Sequence, residues 1–119
     1  MKVSIAWWKL DRCNQTIDTL RSHLRNEGVT SWENIKGMRL KFWISDPINN
    51  LWGAVMLWET IHDASLPLPP NRAAELIGYP ADIRFTFDIE ASIEGNYVNP
   101  LLNKIGLCFE TETNSSDLI

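Results

Sequence analysis

Strict alternation of polar and apolar residues is the strongest pattern in this chain, and it runs unbroken from Asp82 to Gly95. A period of two indicates a β-strand with one face toward an apolar core. We therefore predict a long strand over residues 82–95. A strand of this length, more than twice the usual five or six residues, would run past its own domain onto a second protomer.

Similar patterns predict three more strands and three helices elsewhere in the chain. The strands are Val3–Leu10, Met38–Ile44 and Leu51–Thr60. Asn14 is expected to cap a first helix that Gly28 ends, and Asn71 a second over Arg72–Ile77. A capped single turn is expected from Ser31 to Gly37, and a short helix from Asn99 to Gly106. The order β-α-β-β-α-β predicts a ferredoxin-like α+β sandwich with a four-stranded antiparallel sheet, formed by one domain of residues 1–110 with a polar tail at 111–119.

The strand patterns also predict which residues share a face of the sheet. A short hairpin loop around Asn49 and Asn50 pairs odd positions of the second strand with even positions of the third. The branched and aromatic residues are expected to face the helices, and they are Leu40, Phe42, Val55, Leu57, Phe85 and Phe87. The opposite face is expected to carry Arg39, Lys41, Trp43, Trp52, Met56, Trp58, Arg84, Thr86, Asp88 and Glu90.

Composition narrows the class of protein. The net charge is −4 and there is no basic run, which argues against nucleic acid as a partner. Neither a membrane span nor a secretory signal is evident, and Cys13 and Cys108 lack metal-ligand spacing. We expect a cytoplasmic protein with reduced thiols, no metal and no cofactor. Six tryptophans, all in the first half of the chain, indicate a pocket, core or interface that buries large rings.

A sheet face that mixes tryptophans with charges is too aromatic for water and too charged for a plain core. Such a surface usually marks a contact with another molecule. A second copy of the same sheet would cover it, which predicts a homodimer in the form of a dimeric α/β barrel. Its interior would then be a dry pocket with fixed charges.

Three segments carry a resemblance to a known superfamily. They are Gly37–Trp43 (GMRLKFW), Trp52–Glu59 (WGAVMLWE) and Phe87–Ala91 (FDIEA). Over roughly residues 3–94 the chain resembles the dimeric α/β-barrel superfamily, and within it the YdhR-like mono-oxygenases. Gly37, Lys41 and Trp43 match the spacing of that group's first strand motif, whereas the segment from Pro67 to Pro80 departs from it. The resemblance implies a homodimer with one small-molecule pocket in each protomer.

These expectations together predict a cofactor-independent mono-oxygenase, or a related tailoring enzyme, acting on an aromatic or polycyclic anion. Asp88 is the expected general base, because an apolar wall raises the pKa of a carboxylate. Arg39 and Arg84 would stabilise the developing anion, and His62 at the barrel mouth is a further acid–base candidate. The expected substrate-binding residues are Lys41, Trp43, Trp52, Met56, Trp58, Thr86 and Glu90.

Three alternatives stay open at this point. The same pocket suits an isomerase or cyclase that does not use oxygen, or a module that binds a small ligand without changing it. The charged residues could instead form ion pairs at the dimer seam. The tryptophans could equally be the apolar part of that interface.

Overall fold

The computed structural model describes residues 1–59, 71–96 and 106–110. The chain forms β1 (Lys2–Lys9), α1 (Ile17–Glu27), β2 (Met38–Asp46), β3 (Leu51–Trp58), α2 (Arg72–Ile77) and β4 (Ile83–Asp88). Single 3₁₀ turns occur at Leu10–Arg12, Thr30–Trp32 and Leu107–Phe109. His62, most of the helix predicted from Asn99, and the tail at 111–119 lie outside the described residues.

The four strands form one antiparallel sheet in the order β2-β3-β1-β4. With its two helices this is an α+β fold compatible with a ferredoxin-like arrangement. The predicted register of the β2–β3 hairpin is confirmed, since Lys41 pairs with Met56 and Trp43 with Ala54. A register shift between Met38 and Leu40 leaves Arg39 in an irregular position at the start of β2.

Local side-chain chemistry sets the ends of both helices. Thr16 caps α1 by accepting a hydrogen bond from the backbone N–H of Thr19, whose hydroxyl in turn accepts from the backbone N–H of Thr16. The expectation that Asn14 is this cap was wrong, because the reciprocal Thr16–Thr19 pair starts the helix two residues later. Asn71 caps α2 as predicted, and Gly78 ends that helix at a φ of 92°.

The core lies between the helices and the face of the sheet that carries tryptophans. Trp8 and Trp52 pack against Leu20 of α1 and Ile77 of α2, with Trp43 at the margin. This corrects the predicted layering, which placed the branched residues under the helices. The physical reason is strand position: Arg84 and Asp88 lie on the edge strand β4 and are exposed, whereas Trp8 and Trp52 lie on the central strands β1 and β3 and are buried.

The opposite face of the sheet is apolar, and it is open to solvent. Phe42, Ile44, Phe85 and Phe87 are 45%, 38%, 47% and 50% exposed. The rings of Trp7 and Phe85 meet edge to face with centroids 6.5 Å apart, and Phe85 and Phe87 lie 5.7 Å apart. We call this surface the open face; it consists of Val3, Ile5, Trp7, Leu40, Phe42, Ile44, Val55, Leu57, Ile83, Phe85 and Phe87.

The fourth strand is shorter than its alternation predicts. It pairs with β1 from Ile83 to Asp88 and ends there, so the predicted range of 82–95 was wrong. The physical reason is that β4 lies at the edge of the sheet, where β1 is its one neighbour among the described strands. Asp88 already lies opposite Lys2 at the start of β1, so the residues after Asp88 have no strand beside them. The backbone N–H of Ile89 donates the last bond, to the carbonyl of Met1.

Candidate functional site

The predicted site residues share a face of the sheet, but they do not form one cluster. Lys41, Trp43, Trp52, Met56 and Trp58 lie on β2 and β3. Arg84, Thr86 and Asp88 lie on the same face of β4, at the other edge of the sheet. Three inter-strand spacings separate β2 from β4, or about 14 Å. Asp88 and Arg39 therefore do not meet within one chain.

Asp88 lacks the surroundings of a general base. Its carboxylate is exposed and accepts a hydrogen bond from Lys2 Nζ. This bond and the charge of Lys2 hold the pKa of Asp88 below its usual value. The sequence-based hypothesis required the opposite shift. Arg84, Thr86 and Glu90 are exposed as well, and His62 lies outside the described residues.

A groove of about 840 Å³ follows the outer edge of β2 and brings a different set of residues together. Eight consecutive residues of β2, from Met38 to Ser45, line it. Its other walls come from α1, the turn that follows α1, Trp52 on β3, and the segment Gly106–Phe109. A volume of this size suits a small organic molecule.

Lys41 is one of four charged residues that line this groove in the described part of the chain, together with Arg21, Arg39 and Glu33. Its Nζ lies 3.2 Å from the ring centroid of Trp32 and 4.8 Å from that of Trp43. An ammonium at these distances is attracted by the negative faces of the indole rings. Burial lowers the pKa of Lys41 to about 7, because removing the ammonium from water disfavours its charged form.

Lys41 has no carboxylate within 4.0 Å among the residues that the structure describes. A half-buried cation normally has a counter-ion, since burial without one is costly. The aromatic faces of Trp32 and Trp43 offset part of the cost of burying the ammonium, but they carry no net charge. The groove therefore offers a place for an anionic group that is also flat enough to lie beside indole rings.

Two arginines of α1 shape the same groove. Arg21 lines the groove and lies 3.7 Å from Asp18. Arg25 donates a hydrogen bond from Nε to the carbonyl of Cys108, which holds the segment 106–109 against α1. Burial raises the pKa of the Cys108 thiol, so this groove residue is an uncharged thiol at neutral pH.

Sequence reasoning assigned no role to Trp32, although this ring makes the shorter contact to Lys41. Trp32 lies in a 3₁₀ turn, outside any periodic element, so no alternation pattern links it to β2. The ring is brought to Lys41 by the path of the chain between α1 and β2. The sequence did contain one signal for Trp32, since a tryptophan in a short loop with few other apolar residues needs a partner elsewhere in the fold.

No group of three or more potential metal ligands occurs among the residues that the structure describes. None of their helices combines the length and the apolar character needed to cross a membrane.

None of the protein-family models matches this chain, and none of the curated proteins matches it either.

Proposed function

We propose that this protein is a small-molecule enzyme that binds a planar aromatic anion in the β2 groove. The observation that carries the proposal is the ammonium of Lys41, which lies between two indole rings and lacks a carboxylate partner in the described residues. A ligand with a carboxylate or phenolate would supply the missing charge. Its ring would lie beside Trp32 and Trp43.

Lys41 replaces Asp88 as the group proposed to move a proton. With a pKa of about 7, much of the amine is neutral at physiological pH and can accept a proton from a phenol or an activated C–H group. The ammonium that results then lies beside the anion it has generated and stabilises it. This chemistry needs only the substrate and the side chains of the chain.

The leading reaction is cofactor-independent mono-oxygenation. The electron-rich anion reacts with O₂, an activated CH₂ group becomes a carbonyl, and the second oxygen atom leaves as water with the two hydrogens of that CH₂ group. Isomerisation or cyclisation of the same anion without oxygen is the alternative. Turnover that continues at an unchanged rate in an anaerobic assay would favour this alternative.

We also propose that the active form is a homodimer. The open face supports this, because an exposed apolar surface that spans all four strands is unfavourable in water and typical of a contact surface. Since the face carries no charged side chain apart from its edges, a second copy of the same face is a chemically matched cover.

The ligand proposal is tested with two probes that differ mainly in charge, naphthalene-2-carboxylate and 2-naphthamide. Calorimetric titration at pH 7 should show tighter binding of the carboxylate. Lys41→Met should weaken carboxylate binding by about tenfold or more, equivalent to about 1.4 kcal/mol, and leave amide binding unchanged. Lys36→Met, which removes an exposed ammonium that does not line the groove, is the matched control. Equal affinities of Lys41→Met and wild type for the carboxylate would overturn the proposal.

A further inference from the structure

We propose that Lys41 is a nucleophile as well as a base, and that its amine forms a Schiff base with the aldehyde or ketone group of a planar aromatic ligand. This inference rests on the proposed function, because it takes the β2 groove and its flat ligand as given. It adds a covalent step and names a chemical class of substrate, the aromatic carbonyl compounds.

The first observation is the position of the amine in the groove. Lys41, Trp32 and Trp43 all line the same cavity, and Nζ lies 3.2 Å and 4.8 Å from the two ring centroids. The two rings therefore limit where the amine can move. A flat ligand that lies beside the rings brings its substituents to the same place, so a carbonyl carbon on such a ligand meets a nucleophile that is already positioned.

The second observation is that no acidic group holds a proton on this amine. Within the described structure, Lys41 has no carboxylate within 4.0 Å. Glu33, the one acidic residue among the described groove residues, is exposed and lies beyond that distance. A carboxylate partner would stabilise the ammonium, which has no lone pair and cannot attack a carbonyl group.

Burial without such a partner makes the neutral amine abundant. The pKa of Lys41 falls from 10.5 to about 7, so about half of the amine is neutral at pH 7. For a lysine that keeps the usual pKa, the neutral fraction at pH 7 is only about one in three thousand. Lysines that react with carbonyl substrates are activated in this way, by removal of the amine from water in an apolar pocket.

The other described lysines lack this combination. Lys2 donates a hydrogen bond to the carboxylate of Asp88, whereas Lys9 and Lys36 are exposed. None of these three lysines lines the groove. They therefore serve as internal standards for the reactivity of an ordinary lysine in the same molecule.

The covalent step balances without an oxidant or a reductant. The lone pair of neutral Lys41 Nζ forms a bond to the carbonyl carbon while the π electrons of the C=O bond move to oxygen. The two protons of the amine pass to that oxygen, which leaves as water when the carbon–oxygen bond breaks, and a C=N bond remains. When protonated, this imine carries its positive charge where the ammonium was, beside the indole faces that stabilise a cation. It also withdraws electrons from the adjacent carbon, which makes a C–H bond there acidic.

Reductive trapping tests the inference. The protein at pH 7 is mixed with naphthalene-2-carbaldehyde and sodium cyanoborohydride, which reduces an imine to a stable secondary amine, and the labelled peptides are identified by mass spectrometry. Lys41 should be labelled at least about tenfold faster than Lys9 or Lys36, because more of its amine is neutral. Lys36→Met should keep the labelling of Lys41. Lys41→Arg, which retains a cation but has no nucleophilic amine, should lose it.

Competition gives a second measurement that needs no variant. Naphthalene-2-carboxylate should slow the labelling of Lys41 severalfold and leave that of Lys9 unchanged, and 2-naphthamide should protect less. Labelling of Lys41 no faster than that of Lys9, in a protein that binds the carboxylate through Lys41, would overturn this inference and leave the proposed function intact. Selective labelling that neither competitor slows would overturn it as well. Equal protection by both competitors would support the Schiff base and contradict the proposed preference for an anion.

Discussion

At the scale of single residues, Lys41 has the most unusual surroundings in the described structure. It is a half-buried amine with indole rings on two sides, and burial lowers its pKa to about 7. The burial that lowers this pKa also opposes folding at neutral pH, because it disfavours the charged form of the amine.

Lys41→Met should therefore stabilise the protein near pH 6–7, and the gain should fade as the pH rises. The unfolded chain keeps this proton up to about pH 10.5, whereas the folded chain loses it near pH 7. Between these values the unfolded state binds more protons, so wild-type stability rises with pH through this window relative to the variant. At about 1.4 kcal/mol per pKa unit, we expect a gain on the order of 4 kcal/mol at pH 6, most of which should be lost by pH 10.

Thermal unfolding between pH 6 and pH 10 checks this prediction, with Lys36→Met as the exposed control. The two midpoints, of wild type and Lys41→Met, should approach each other as the pH increases. A constant difference across the range would contradict a lowered pKa for Lys41, since it would show a change in packing without a change in proton uptake.

At the scale of elements, the helix starts depend on individual hydroxyl and amide groups. Thr16→Ala removes the side-chain acceptor for the N–H of Thr19 at the start of α1. We expect this to cost about 1 kcal/mol in the free energy of unfolding. Asn14→Ala is the matched control, because Asn14 precedes the helix and makes no capping bond in the described structure. Urea denaturation that shows the larger loss for Asn14→Ala would contradict the Thr16 cap.

The sequence predicts an element well when the residues that determine it are close neighbours along the chain, and poorly when they are far away. α2 and the β2–β3 register follow from neighbours in sequence, a capping amide and a short turn, and both are as predicted. The end of β4 depends on where β1 begins, some eighty residues earlier, and no local pattern contains that information. The prediction of which sheet face the helices cover was wrong for the same reason. An edge strand is more exposed to solvent than a central strand, even when the two have similar alternation.

The candidate site shows the same limit more strongly. Lys41 and Trp43 were expected in a ligand site, and they line the groove together with Trp52. The acid–base role expected for Asp88 depended on an apolar wall that β4, an exposed edge strand, does not provide. Trp32 reaches Lys41 through the loop between α1 and β2, and loop paths are not encoded by periodicity.

At the scale of the whole molecule, the open face should govern association more than folding. Phe87 is 50% exposed, so Phe87→Asp removes little buried contact from the protomer. It does place a charge on the open face, within the proposed interface, where desolvation is costly. We expect a dimer in wild type and a monomer in Phe87→Asp, measured by analytical ultracentrifugation.

Thr86→Asp serves as the control for this prediction. It introduces the same charge one residue earlier, on the opposite face of the same edge strand. The control should remain a dimer, and its unfolding midpoint should stay dependent on protein concentration. Equal dissociation of the two variants would indicate a general effect of charge on β4 rather than an interface on the open face.

The central position of β1 has a consequence for how the chain is made. Both neighbours of β1 in the sheet follow it in the chain, β3 at residues 51–58 and β4 at 83–88. The backbone groups of β1 therefore have no partner strand until β3 has been synthesised, and this sheet is complete only when residue 88 has emerged. During that interval Trp7 and Trp8 are exposed on opposite sides of an unpaired strand, and such a strand is prone to aggregation until β3 and β4 cover its edges.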